Sequence, residues 1–321
     1  MLQILRSTLA GAFCRCQTLY SSTSTSSWTK VVSDAEKIVG YPTSFMSLRC
    51  LLSDELSNIA LHVRKLVGTK HPLISTARGF VYDSKNNLQL RGLVVLLMSK
   101  AAGCSKTADP PLEGDLVSGI YPSQRNLAEI TELIHTAFLV HRGIVNIMEV
   151  TSSHGSLKDM QFGNKMAVLS GDFLLANAST GLAQLQNTKV VELVSSAIGD
   201  LVQGVYYENA RTDELNSDLQ PFLAETSFDT MPFSLNSAPV ILHQEASGRD
   251  IWINQLKQAK VNGRQPDYPK LHGIIKAGKG VSSSLDLCHY HGNQALEALR
   301  CFPASEARST LENIVCAVTK F

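Results

Sequence analysis

Between Leu133 and Met148 the apolar residues return every three or four positions: Leu133, Ile134, Ala137, Phe138, Val140, Ile144, Val145 and Met148. That period stacks side chains along one side of an α-helix, and the adjacent pairs within it widen the stripe. A helix so apolar must be packed over much of its circumference, so other long helices have to surround it.

The remaining sequence supplies them. Pro42 and Thr43 precede Phe45, Leu48, Leu52, Leu56, Ile59, Val63 and Leu66, a helical spacing that ends at Pro72. Further helices are predicted over residues 88–102, 125–148, 165–185, 189–206, 245–261, 270–277, 283–299 and 305–319. Residues 207–238 are polar and proline-bearing, so a loop is expected there. No useful run alternates with period two, so no strands are expected, and no 20–50-residue repeat occurs.

Composition narrows the function. With 44% apolar and 18% charged residues, the 321-residue chain can bury a sizeable core. A net charge of +1, with no basic cluster interleaved with aromatics, points away from nucleic acid. No apolar run reaches the roughly 18 residues of a transmembrane helix; the longest, residues 92–99, is bracketed by Arg91 and Lys100 and reads as a core helix. The 7 cysteines form no CxxC pair, and their odd number suits a reducing compartment. Residues 1–33 contain no acid. They carry Arg6, Arg15 and Lys30, apolar residues at Leu2, Leu5, Leu9 and Phe13, and only hydroxyl residues from 21 to 27. This is the pattern of a mitochondrial presequence, expected to be disordered, which leaves 34–321 as a single helical domain.

One run carries more information than any composition. Phe162, Gly163, Asn164, Lys165, Ala167, Leu169, Gly171, Asp172, Phe173 and Leu174 stand in an order that closely resembles the Phe-Gly-Asn-Lys-x-Ala-x-Leu-x-Gly-Asp-Phe-Leu run of the trans-polyprenyl diphosphate synthases. Arg91 falls on the last arginine of that family's Gly-Gly-Lys-Arg-x-Arg-Pro motif, although Leu88 and Gln89 replace the Lys-Arg pair. His135 falls on a family histidine. The resemblance makes Arg91 and His135 vestigial diphosphate contacts. Arg142, Gly143 and Asn146 occupy the three aspartate places of the family's His-Asp-Asp-x-x-Asp, and Asp218 is the one carboxylate left at the second aspartate-rich motif.

In active members those aspartates hold magnesium against the departing diphosphate. The three places sum to −3 in the family pattern and to +1 here. Loss of one preorganised electrostatic contact costs about 3 kcal/mol of barrier, and losing the metals costs more. The resemblance therefore implies an all-α, isoprenoid-synthase-like bundle of antiparallel helices that is non-catalytic alone and binds no cofactor of its own. It would be the regulatory subunit of a heteromeric, decaprenyl-type polyprenyl diphosphate synthase, expected as a heterotetramer with a magnesium-bearing catalytic subunit. The complex would supply the isoprenoid side chain of ubiquinone in the mitochondrial matrix. The rival readings are an autonomous enzyme, or a general scaffold, reusing a degenerate prenyl-synthase fold. Against the enzyme stands the lack of any paired-carboxylate or nucleophile–base motif.

The family has roughly 90 residues, several helices at usual lengths, between the Gly-Asp of the long run and the second motif. Here Asp218 follows Asp172 by 46 residues. Part of the bundle is thus expected to be missing, with an internal deletion near residues 206–214. Two weaker patterns read as ordinary structure. His289 and His291 lie two residues apart, which on a helix sends them in different directions. Lys276–Gly280 lacks a full phosphate-loop pattern and follows a short helix instead of a strand.

Overall fold

The computed structural model describes residues 25–40, 66, 69, 71–74, 76, 90–103, 118–149, 156–223, 237–258, 260–261 and 265–319. The expected helix over 45–66 lies almost wholly outside them. Ten α-helices are found among the described residues: α1 (Thr25–Val39), α2 (Leu90–Ala102), α3 (Pro122–Arg142), α4 (Leu157–Gln184), α5 (Thr188–Leu223), α6 (Ala238–Ser247), α7 (Arg249–Gln258), α8 (Tyr268–Ala277), α9 (Lys279–Leu299) and α10 (Glu306–Thr319). The all-α class expected from the sequence is borne out. The one departure is a pair of two-residue strands, Lys260–Val261 and Gln265–Pro266, joined antiparallel.

Where one domain over 34–321 was expected, two compact units are found. One comprises Ser24–Val194 with Leu299–Ala317, and the other is built on Ser195–Ala298. Residues 25–33, expected to be disordered, are instead the first part of α1, because Trp28, Val32, Ala35 and Val39 share one helical face and the last two are buried.

In the first unit, α2 buries Leu90, Leu93, Leu96, Leu97 and Ala101, the three-and-four spacing of a single stripe. Helix α3 starts at Pro122, whose missing N–H costs nothing at that position, and the Gln124 side chain accepts the Tyr121 N–H at 2.9 Å. It packs on α2 and, more extensively, on α4. Partners on α3 and α4 run in opposite order: Ile130 lies against Gly181, His141 against Gly171, and Val145 just beyond α3 bonds Asn164. The two helices are therefore antiparallel. Ser156 caps α4 by accepting the Asp159 N–H at 3.1 Å.

Several boundaries differ from the sequence expectation. Helix α5 runs on to Leu223 where a loop was expected from 207, so the presumed join at 206–214 falls within continuous helix. The helix expected over 245–261 is two helices separated by Gly248 (φ 85°), a conformation that ends α6. Most consequentially, α3 stops at Arg142 and not at 148.

The α3–α4 contact depends on closeness. A Cβ on Gly163 would run into the His71 ring, and one on Gly171 into the His141 ring. The His71 ring is held at both nitrogens: one meets Asn164 Oδ1 at 3.1 Å, and the other accepts the Leu73 N–H at 3.1 Å. It cannot swing aside cheaply. Gly163→Ala should therefore lower stability by roughly 1–3 kcal/mol, and Gly171→Ala by less, because His141 is partly exposed. Thermal unfolding of the two variants beside the parent protein checks both the loss and its order.

Candidate functional site

The place where the sequence suggests a degraded metal site lies at the end of α3. Arg142 is the last helical residue; it is exposed, with its guanidinium carbon 5.7 Å from the centroid of the Phe138 ring. Gly143 closes the helix. A Cβ there would meet the Val140 carbonyl oxygen at 3.1 Å. Asn146 is exposed beyond the helix, and its Oδ1 accepts the Met148 N–H at 3.2 Å. The helix expected through residue 148 therefore does not carry positions 143 and 146.

Asn164 explains the early end. Its Oδ1 accepts the Val145 N–H at 2.9 Å and its Nδ2 donates to the Val145 carbonyl at 2.8 Å. In a continuing helix that N–H would bond the His141 carbonyl four residues back. The side chain of α4 satisfies it instead, and the poor helix former Gly143 makes the exchange inexpensive. Asn164 also bonds His71, so one amide ties together α4, the segment after α3 and the turn at 71–74.

These residues do not suit magnesium. That ion needs hard oxygen donors in a near-octahedral set. Positions 142–146 offer a cation, a glycine, two aliphatic side chains and an amide oxygen already engaged by Met148. Among the described residues, no three of His, Cys, Asp and Glu converge in a way that could hold a metal ion. Asp218 lies on the backbone of α5, in a different compact unit from residues 142–146.

Arg91 and His135, by contrast, do come together. A third residue, Glu132, joins them. Its Oε1 accepts the Gly92 N–H at 2.7 Å, so a carboxylate from α3 caps the start of α2. Glu132 is only 5% exposed, and burial pushes its carboxyl up to about 7 against the pull of the Gly92 N–H, the Arg91 guanidinium and the Arg91 N–H. His135, one turn along α3 and 8% exposed, is brought down to about 3 by burial and then by the Arg91 charge. It is neutral at physiological pH, and its Nδ1 has no hydrogen-bond partner among the described residues. Glu132 was missed from the sequence. The available signal was an acid one turn before His135, next to the apolar pair Leu133 and Ile134.

The long run on α4 proves to be a docking strip. Phe162 packs beside Leu66, Leu73, Val140, Met166 and Ala167. Gly163 and Gly171 seat the two imidazoles, Asn164 grips Val145, and Asp172 Oδ1 lies 3.3 Å from His141 Nε2. Lys165 points outward. Of the minor patterns, His289 is exposed and His291 meets the Tyr290 ring edge-on, while Gly278 and Gly280 pack against His243 and the Pro239 carbonyl.

Residues 83–259, more than half of the chain, match the polyprenyl synthetase family. The chain belongs to that family. The human "All trans-polyprenyl-diphosphate synthase PDSS2" is 59% identical, with 94% of this chain and 90% of the human protein aligned. That alignment spans 358 positions, more than the 321 residues here, so the human protein has residues without a counterpart in this chain. A Neurospora crassa protein named "Probable hexaprenyl pyrophosphate synthase, mitochondrial" is 35% identical over 60% of this chain and 52% of its own length. Among solved structures, a Caulobacter crescentus polyprenyl synthase superimposes with a TM-score of 0.55, covering 94% of this chain and 99% of that one at 16% identity. That likeness shows the fold alone.

The Glu132–His135 pair generates opposite pH dependences. Folding raises the Glu132 value from 4.5 to about 7, so the folded state holds a proton the unfolded state has released. Its contribution is present below pH 4.5 and is lost as pH rises to 7. Folding lowers the His135 value from 6.5 to about 3, so His135 costs stability at acid pH and the cost disappears above 6.5. Glu132→Gln should therefore be stabilised relative to the parent as pH rises from 5 to 7.5, by up to roughly 3 kcal/mol. His135→Asn should gain relative stability in the opposite direction, toward pH 5. Thermal unfolding midpoints between pH 5 and 8 measure both trends.

Proposed function

We propose that this chain is the non-catalytic subunit of a heteromeric, decaprenyl-type polyprenyl diphosphate synthase that makes the ubiquinone side chain in the mitochondrial matrix. The observation that carries this reading is the end of α3. The family frame is intact up to Arg142, yet no carboxylate stands at 142, 143 or 146, and the backbone leaves the helix before Asn146. Support for the pathway comes from the names of the relatives. One is an all-trans-polyprenyl diphosphate synthase, another a mitochondrial hexaprenyl synthase, and a third, from Schizosaccharomyces pombe, is "Decaprenyl-diphosphate synthase subunit 1".

Its contribution is binding. Apolar helix faces dock on a catalytic subunit, as a heterotetramer, and stabilise it; that partner holds the magnesium. What is left of the diphosphate site, Arg91 and His135, is now shared with Glu132, whose carboxyl competes with any anion for the Gly92 N–H. The chain is a shortened form, a reading supported by the 358-position alignment and the 46-residue interval. An alternatively spliced transcript joined near residues 206–214 would account for it, and a gene whose coding sequence runs without a skipped exon across those residues would remove that explanation.

Expressed alone, the protein should elongate no allylic diphosphate with magnesium and the homoallylic co-substrate. Co-expressed with a catalytic subunit, it should co-purify and raise that subunit's elongation rate. Robust activity from the lone chain would overturn the reading. The triple variant Arg142→Asp, Gly143→Asp, Asn146→Asp should remain inactive alone and show no magnesium heat in titration calorimetry, because Asn164 holds the segment off the helical path.

A further inference from the structure

The run Lys276–Gly280, an ordinary turn by its sequence, joins α8 to α9 within the second compact unit. The first N–H groups of a helix have no partner inside it, so they need acceptors from elsewhere. Several helices here supply one from the residue just before them: Ser156 serves α4, Asn187 serves α5, Asp267 serves α8 and Ser305 serves α10. Helix α9 does not. The residue before it is Gly278, and its first turn contains no acid. The reason lies in α6. His243 is 4% exposed, and its ring sits so close to Gly278 that a Cβ there would run into Nδ1 and Cε1. The Gly278 backbone (φ −84°, ψ −174°) is one that any residue adopts. The imidazole, and not the conformation, therefore keeps a capping Ser, Thr, Asp or Asn out of this position.

The same imidazole is only half satisfied. Its Nε2 lies 2.9 Å from Gln255 Oε1 and Trp252 braces the ring edge-on, but Nδ1 has no hydrogen-bond partner among the described residues. Buried polar atoms are rarely left in that state. This one faces Gly278, the residue at which the N–H groups of α9 are also left without a cap. Charge points the same way. Residues 268–285 contain Lys270, Lys276 and Lys279 and no acid, and the exposed Lys276 and Lys279 stand on either side of Gly278. The positive end of a helix dipole between two ammonium groups attracts an anion. We propose that the α8–α9 junction binds a phosphate-type anion, held by the first N–H groups of α9 and the ammonium groups of Lys276 and Lys279, above the buried His243 ring. A tetrahedral phosphate has several acceptor oxygens, so it can take backbone and ammonium donors together. Free phosphates and phospholipid headgroups share that chemistry. These residues lie in a different compact unit from Arg91, Glu132 and His135.

The chain has 2 tryptophans, Trp28 and Trp252, and the second lies against His243. Fluorine NMR of the full chain labelled with fluorotryptophan therefore reports on this junction. Titration with inorganic phosphate or diphosphate at constant ionic strength, without magnesium, should shift the Trp252 signal saturably and leave the Trp28 signal in place. The double variant Lys276→Gln, Lys279→Gln changes only exposed side chains and should bind about tenfold more weakly. Sedimentation with phosphatidylcholine vesicles, with or without phosphatidic acid, separates the two sources. Retention by the acidic vesicles alone, lost in the double variant and displaced by phosphate, assigns a lipid headgroup. Saturation by free phosphate without retention assigns a soluble anion. The proposal is overturned by no saturable response to phosphate, diphosphate or acidic vesicles, by equal affinity in the double variant, or by equal shifts of both tryptophan signals, which mark an adventitious ion only.

Discussion

The fold of the first compact unit depends on how closely α3 and its flanking segments can approach α4. Glycines at 163 and 171 leave room for two imidazole rings against helical backbone, and Asn164 converts that approach into directional bonds. An amide side chain can satisfy one backbone N–H and one C=O of the same residue, and at Val145 it does both. Buried or half-buried polar groups must find partners, so this clamp fixes the path of residues 143–146 as firmly as apolar packing fixes the helices. Phe162 and Met166 fill the adjacent core, which makes the same strip of α4 both the apolar wall and the polar latch.

That clamp also bears on chemistry. A metal site of the kind this family uses requires carboxylates held on one face of a continuing helix. Here the helix stops one residue into the motif, and the following positions carry an exposed amide and aliphatic side chains. The loss is one of backbone path as well as of charge. Nearby, the residues matching the family's anion-binding positions surround Glu132. A carboxyl buried at a helix N-terminus is stabilised by the N–H groups and the Arg91 charge, yet penalised by burial, and burial dominates. The result is a cluster that fastens α2 to α3.

How much of this could be read beforehand differs by residue. The helices of α2, α3, α4, α9 and α10 were legible because their apolar periods are local and strong. The family was legible in ten matching positions between Phe162 and Leu174. The roles of those positions were not, since His71 lies 93 residues from Asn164 and Glu132 lies 40 from Gly92. Arg142, Gly143 and Asn146 were identified as altered ligand places, but their departure from helix was invisible: Ile144, Val145 and Met148 continue the apolar period. The loop expected from residue 207 gave way to helix as far as Leu223 for a related reason. Its polar composition suits an exposed helix as well as it suits a loop, and composition cannot separate the two.

The sequence by itself determined the helical class, the family and the absence of carboxylates where magnesium would be held, because each is written in residue type and short-range spacing. Only the tertiary structure decided where α3 ends, that Glu132 caps α2, and that α1 begins at Thr25, inside the acid-free N-terminal stretch. The physical reason is shared. Each of these outcomes turns on which distant group satisfies a backbone N–H or C=O or covers an apolar face, and that pairing exists only once the helices have packed.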